Sequence, residues 1–134
     1  MKNNHLKIVV IDDSPSSILL YKASTDKLPV NVTSFNLSAE AFTYLKKHKP
    51  DLIILDIIMP GMDGFTLLKK LRDLPDHKMT PVIIMTSKDY FQDRSIAKQL
   101  GVIDFIIKPL RFNEINKLLR KYITSKPTLK AATV

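Results

Sequence analysis

The feature that most constrains this chain is an alternation repeated five times. Short apolar runs, LKIVVI (6–11), VNVTSF (30–35), DLIILD (51–56), PVIIM (81–85) and VIDFII (102–107), are separated by longer segments with helical spacing. Runs rich in β-branched residues read as strands. The segments between them carry helix start and stop signals. Segment 14–27 opens with Ser14 as a candidate N-cap and Pro15 at the first helical position. Segment 38–48 opens with Ser38, and segment 63–73 with Asp63 after a Pro60-Gly61 turn. Segment 89–100 opens with Asp89 and ends before Gly101, a natural C-cap. Segment 111–123 sets Ile115, Leu118, Leu119, Tyr122 and Ile123 on one stripe. Strand followed by helix, five times over, demands a parallel sheet with helices on both faces. The unbroken apolar strands should be central, and 30–35, which alternates apolar with polar, should lie at an edge. The chain is 134 residues long, which fits one domain. We expect that domain over 1–124 and a basic tail over 125–134, where Ser125-Lys126-Pro127 begins.

Composition removes several classes of chemistry. There is no cysteine, so thiolate metal sites, Fe–S clusters, disulfides and a cysteine nucleophile are out. The three glycines stand at 61, 64 and 101, so neither GxGxxG nor GxxxxGK can be written. The apolar runs are too short to span a membrane. The N-terminus, MKNNHLKIVVIDD, does not have the pattern of a signal peptide. The expected location is therefore the cytoplasm. The net charge is +8, unevenly spread. From Lys108 onward stand Lys108, Arg111, Lys117, Arg120, Lys121, Lys126 and Lys130 against Glu114 alone. A region of that kind suits nucleic acid, anionic lipid or an acidic protein face, although a solvated helix face with a basic tail explains it more simply.

In open parallel sheets, ligands bind outside the carboxyl ends of the strands. The first strand ends in Asp12-Asp13, the third in Asp56, the fourth in Thr86-Ser87 and the fifth in Lys108-Pro109. If the first and third strands are neighbours, three carboxylates converge, with a hydroxyl and an ammonium beside them. Two carboxylates about 4 Å apart repel by about 4 kcal/mol at an effective dielectric near 20. Either one of them keeps its proton or a cation sits among them. The donors are all oxygens, since His5, His48 and His77 fall at the terminus or in loops. Such a set suits Mg²⁺, with Mn²⁺ as a substitute. Three aspartates, Mg²⁺ and Lys108 together sum to zero charge, which leaves the site ready for a phosphoryl group. Aspartates are known nucleophiles toward phosphorus, and in-line transfer mainly needs positioning and charge stabilisation. Plain structural roles compete with this reading. Asp12 and Asp13 could serve as helix caps, although Ser14-Pro15 already supplies one. Thr86 alone fits a common strand end, and Phe105 alone fits simple core.

IVVIDDS, LIILDIIMPGMDG, VIIMTS and GVIDFIIKP, in that order, resemble the receiver domain of bacterial two-component response regulators of the chemotaxis-regulator kind. The resemblance runs from about Lys7 to Tyr122. It implies a flavodoxin-like three-layer α/β sandwich, with a five-stranded parallel sheet in the order 2-1-3-4-5 and five helices. It implies that Asp56 is the phosphoacceptor, and that Asp13 and Asp56 hold Mg²⁺ with the backbone carbonyl of Ile58. Asp12 would arrange metal-bound water, and Lys108 would pair with the phosphoryl group. Thr86 would be the switch hydroxyl and Phe105 the switch aromatic, and the Lys108-Pro109 bond would be cis. A sensor histidine kinase or a histidine phosphotransfer protein would donate the phosphoryl group. The surface of the fourth helix, fifth strand and fifth helix would then change and control an output protein that the sequence does not identify. Tyr90, Phe91, Arg111, Lys117, Arg120 and Lys121 are the candidate partner surface. Receivers often pair through this face, which allows a phosphorylation-linked homodimer. No recognition-helix motif follows, so no direct DNA binding is expected.

The chain departs from the commonest receiver pattern at Ser87, where alanine is usual. Ile58 is apolar and cannot orient an attacking water, and Lys88 adds a cation near the mouth of the site. The expectation is a protein that catalyses only its own phosphorylation and slow dephosphorylation, and is no enzyme otherwise. The alternative, a haloacid-dehalogenase-like phosphatase with Asp56 as nucleophile, needs a second aspartate where Ile58 stands. A flavin carrier of the same topology would need a first loop rich in Thr, Ser and Gly, and DDSPSS has no glycine.

Overall fold

The computed structural model describes residues 5–124. The tail expected over 125–134, with Lys126 and Lys130, lies outside the described residues. The elements run β1 (Leu6–Ile11), α1 (Pro15–Thr25), β2 (Val30–Phe35), α2 (Ser38–Leu45), β3 (Leu52–Leu55), α3 (Gly64–Arg72), β4 (Val82–Thr86), α4 (Phe91–Gln99), β5 (Asp104–Ile107) and α5 (Phe112–Thr124), with a single 3-10 turn at Pro75–His77. All strand pairs are parallel, and the order is β2-β1-β3-β4-β5. Among the described residues no helix is long and apolar enough to cross a membrane.

Strand alternation sorts the side chains into two cores. Val9, Ile11, Ile53, Leu55, Val82 and Ile84 point to the face covered by α2, α3 and α4. Ile8, Val10, Leu52, Ile54, Ile83 and Met85 point to the opposite face, under α1 and α5. Successive strand residues face opposite ways, so a strand covered on both faces must be apolar throughout. All four residues of β3, LIIL, are buried, and each such side chain stabilises the fold by roughly 1.5–3 kcal/mol. β2 lies at an edge, as its alternating sequence predicts. The fifth run lies at the opposite edge, as the order implied by the resemblance requires. Each of the four residues of β5 is only partly buried.

Several helix signals act as read and two act differently. The Ser14 side chain accepts from Ser17 N–H at 3.3 Å, with Pro15 behind it. Asp63 accepts from Thr66 N–H at 2.8 Å. Gly101 has a φ of 72°, the left-handed conformation of a helix stop. Ser38 makes no cap, since Leu37 occupies that position. Its hydroxyl instead donates to Met62 O at 2.8 Å, tying α2 to the loop before α3. Asp89 makes no cap either. Tyr90 precedes α4, and Asp89 pairs with Arg94 at 2.6 Å. On α5, Ile115, Leu119 and Tyr122 are buried, with Leu118 and Ile123 packed partly buried against the same core.

Candidate functional site

The backbone ladder brings the strand ends into one row. Asp56 N–H donates to Ile11 O at 2.9 Å, Asp12 N–H to Phe35 O at 3.0 Å, and Lys108 N–H to Thr86 O at 2.7 Å. The side chains that follow β1, β3 and β5 therefore emerge side by side. Asp12, Asp13 and Asp56 each offer an oxygen, and these oxygens all lie within 4.8 Å of one another. Asp12 and Asp56 are buried and Asp13 is exposed, so the cluster opens to solvent on one side.

Lys108 crosses the sheet edge to join them. Its Nζ donates to Asp12 Oδ2 at 2.7 Å and to Asp56 Oδ2 at 3.1 Å. The other Asp56 oxygen, Oδ1, accepts from Ile58 N–H at 3.2 Å. Burial raises the pKa of Asp56. The charge and hydrogen bond of Lys108 oppose the rise, the Asp12 charge adds to it, and the Ile58 N–H opposes it, with a net shift upward. Burial works to lower the pKa of Lys108, but its hydrogen bonds to Asp12 and Asp56 and their charges outweigh this and raise it. Three carboxylates against one ammonium leave two negative charges uncompensated. A divalent cation with hard-oxygen preference fits that deficit and that donor set, and the open side leaves room for water ligands.

The neighbours complete the site. Thr86 is fully buried, and its hydroxyl accepts from Lys88 N–H at 3.4 Å. Ser87 is exposed beside it. The Lys108–Pro109 bond is cis. Asp12 has a local role as well, because its Oδ1 accepts from Ser14 N–H at 2.9 Å. Asp12 does not cap α1, since Ser14 holds that position; one of its oxygens closes this local turn while the other faces Lys108. The Ile58 side chain is half exposed. Phe105 is partly buried, and the Arg94 guanidinium lies 4.7 Å from its ring centre. Tyr90 and Phe91 are exposed, as are Arg111, Arg120 and Lys121, and Lys117 sits on the same helix.

Four structural residues escaped the sequence reading. Tyr21 of α1 is buried close enough to Asp12 and Asp56 for their charges to act on its hydroxyl. Gly64, at the start of α3, donates to Ile57 O at 2.8 Å, and a Cβ there would lie 2.2 Å from Asp56 O. His77 falls in a short turn, as expected of a loop, yet it is buried. Its Nδ1 meets the Thr80 hydroxyl at 2.9 Å and its Nε2 meets Leu45 O. Arg72 donates to the carbonyls of Leu100, His77 and Thr80, which fastens the end of α3 to two loops.

A family model described as the response regulator receiver domain matches residues 8–120. The chain belongs to that family. Among curated relatives, the cyclic di-GMP phosphodiesterase response regulator RpfG of Xanthomonas campestris is 37% identical over 82% of this chain. The chain spans only 30% of that relative's length, and 23% of the response regulator PleD of Caulobacter vibrioides. Protein PilH of Pseudomonas aeruginosa is 31% identical, with 78% of this chain and 86% of PilH covered. Among solved structures, the chemotaxis protein CheY4 of Vibrio cholerae superposes with a TM-score of 0.80 at 26% identity, covering 87% of this chain and 98% of CheY4. The five-stranded order and the five helices are those of this flavodoxin-like family. The chain is accordingly a receiver domain of two-component signalling.

Proposed function

We propose that this receiver accepts a phosphoryl group on Asp56 in a Mg²⁺-dependent reaction, and that the change in charge switches a protein-binding face. The observation that carries the reading is Lys108 Nζ bonded to both Asp12 and Asp56 inside a cluster of three carboxylates. Asp12, Asp13 and Asp56, with the Ile58 carbonyl, would hold the ion. When bound, Mg²⁺ supplies charge neutralisation for the transferring phosphoryl group, and Mn²⁺ can substitute. The donor is a histidine kinase or a histidine phosphotransfer protein. An Asp56 oxygen forms the new P–O bond as the donor P–N bond breaks, and the electron pair returns to the imidazole nitrogen. Lys108 is placed to pass from Asp56 to the incoming oxygens, since the ester leaves Asp56 without its own charge. Asp12 remains as its second partner.

The switch follows from that exchange. Thr86 offers a hydroxyl whose present contact, at 3.4 Å, is weak enough to give up. Phe105 lies on β5 opposite Ile84 of β4, two residues before Thr86 on that strand, and under Arg94 of α4. Movement of Thr86 toward the phosphoryl group vacates space for the ring, and the α4–β5–α5 face repacks. That face, with Tyr90, Phe91, Arg111, Lys117, Arg120 and Lys121, is the proposed contact for an output protein or for a second copy of the chain. The event is a two-state equilibrium biased by local electrostatics.

Phosphorylation with acetyl phosphate, followed by borohydride reduction, converts an acyl phosphate to homoserine. Peptide mapping is expected to find homoserine at position 56, and finding it at 12 or 13 would contradict the reading. Hydrolysis of the ester is expected to be slow, because Ile58 cannot orient water. Loss of the label within seconds in Mg²⁺ buffer would contradict that expectation.

A further inference from the structure

The two edges of the sheet are guarded differently. β5 is short and carries Asp104, whose carboxylate accepts from the Tyr122 hydroxyl at 3.1 Å, and the Arg94 guanidinium lies over its Phe105 ring. β2 is six residues long, VNVTSF, with no charge and no proline. Its register with β1 runs unbroken from Val30 to Phe35, so no bulge turns it aside. An open strand edge invites another strand, and charges, prolines and bulges are the usual means of preventing this.

The free backbone groups of that edge can be named. Leu6 N–H donates to Pro29 O, and Asp12 N–H to Phe35 O. Backbone groups alternate in direction along a strand, so Asn31, Thr33 and Phe35 are bonded to β1, while Val32 and Ser34 turn their N–H and C=O groups outward. No hydrogen bond among the described residues uses those outward groups. Beside the edge lies a cleft of about 480 Å³, lined by Ile18 and Leu19 of α1, Ser34 and Phe35 of β2, and Glu40 of α2. Leu19 is 68% exposed.

We propose that β2 pairs antiparallel with β2 of a second copy of this chain, which joins the two sheets across a two-fold axis at Val32. The outward residues set the register. Val32 exchanges both backbone hydrogen bonds with Val32 of the second copy. Ser34 N–H donates to Val30 O of the second copy, since Val30 N–H is already bonded to Leu28 O. Val30 then meets Ser34 on the α1 face, and Asn31 meets Thr33 on the α2 face. No like charges oppose each other, because the strand has none. The same register brings Pro29 and Val30 of the second copy to the cleft. It also sets Lys27 opposite Leu37, one turn before Glu40. Lys27 and Glu40 are both exposed, and neither forms an ion pair among the described residues. Each copy closes the cleft of the other, as a two-fold contact requires. The two α1 helices come side by side on one face and cover both Leu19 side chains. An unrelated strand would satisfy the backbone of β2 but would not bring a lysine to Glu40 or an apolar helix face to Leu19. β2 and β5 are opposite edges. The contact is therefore separate from the α4–β5–α5 face and needs neither Mg²⁺ nor phosphorylation.

The test is sedimentation equilibrium of the full chain in EDTA, from micromolar to millimolar concentration. The expected result is a monomer–dimer equilibrium, with amide hydrogen exchange at Val32 and Ser34 slowed only at the high end. Val32→Pro removes an outward N–H at an edge, where proline is tolerated, and should abolish the dimer. Leu19→Glu changes an exposed residue and should weaken association about ten-fold, so it decides the matter if Val32→Pro does not fold. Phe91→Ser, at the opposite edge, should leave association unchanged. A wild type that stays monomeric overturns the second copy as occupant and leaves the edge to a foreign strand. A dimer that Leu19→Glu leaves intact, or that Phe91→Ser abolishes, overturns the proposal as well.

Discussion

Asp56 shows what a reactive carboxylate costs the fold. Its pKa is raised, chiefly because ionisation in a buried place is unfavourable, and Lys108 only partly offsets this. A carboxyl with a folded pKa above its unfolded one adds stability that is present at low pH. That stability is lost as pH climbs from the ordinary carboxylate range through the raised value. In EDTA at neutral pH, Asp56→Asn is therefore expected to be the more stable protein. The gain should vanish below about pH 3, where the wild-type carboxyl is protonated in both states. Urea denaturation at the two pH values checks this, and a variant less stable than wild type at neutral pH would contradict it. Asp56 was legible from the sequence because it ends an apolar strand, where an unassisted charge is hard to explain. Tyr21 was not, because its spacing on α1 marks it as core and its hydroxyl matters only through neighbours distant in the chain.

The loop between β3 and α3 shows how elements hold that residue in place. Gly61 and Gly64 stand in one turn motif and look equivalent in the sequence, yet they serve different needs. Gly61 has a φ of 76° with nothing within 4 Å of a Cβ, so alanine there meets only backbone strain of about 1 kcal/mol. At Gly64 a Cβ would sit 2.2 Å from Asp56 O and 2.9 Å from Ile57 Cα. Gly64→Ala must push α3 away from the backbone of Asp56, at a cost of about 3 kcal/mol. It should also slow phosphoryl acceptance, whereas Gly61→Ala should leave the rate close to wild type. Thermal denaturation and the acetyl phosphate rate, measured on both variants, separate the two roles. The difference was hidden in the sequence because it depends on one helix meeting one strand end. The same limit applies to Ser38, which tethers a loop rather than capping its helix, and to Arg72 and His77, whose partners are backbone carbonyls that no side-chain pattern records.

At the scale of the whole molecule, the chain sets charge against charge around a sheet that tolerates none inside. Five apolar runs and their helices were legible because period 2 and period 3.6 are both written in the residues. The edge position of β2 was legible from its alternation. That of β5 came only with the strand order, because an apolar run at an edge looks like a central strand until its neighbours are known. The strand order came with the family resemblance, and it is what turns scattered aspartates into one cluster. That cluster should make stability depend on Mg²⁺. At ten times the dissociation constant, the ion should add about 1.4 kcal/mol, seen as a rise in Tm. Asp13→Ala should remove the rise without unfolding the protein, because Asp13 is exposed. The most direct test of the central claim is intact mass after incubation with acetyl phosphate, with Mg²⁺ and with EDTA, on wild type and Asp56→Ala. The account predicts an added mass of one phosphoryl group in wild type with Mg²⁺ and in no other sample. An adduct on Asp56→Ala, or an equal adduct on wild type in EDTA, would contradict it.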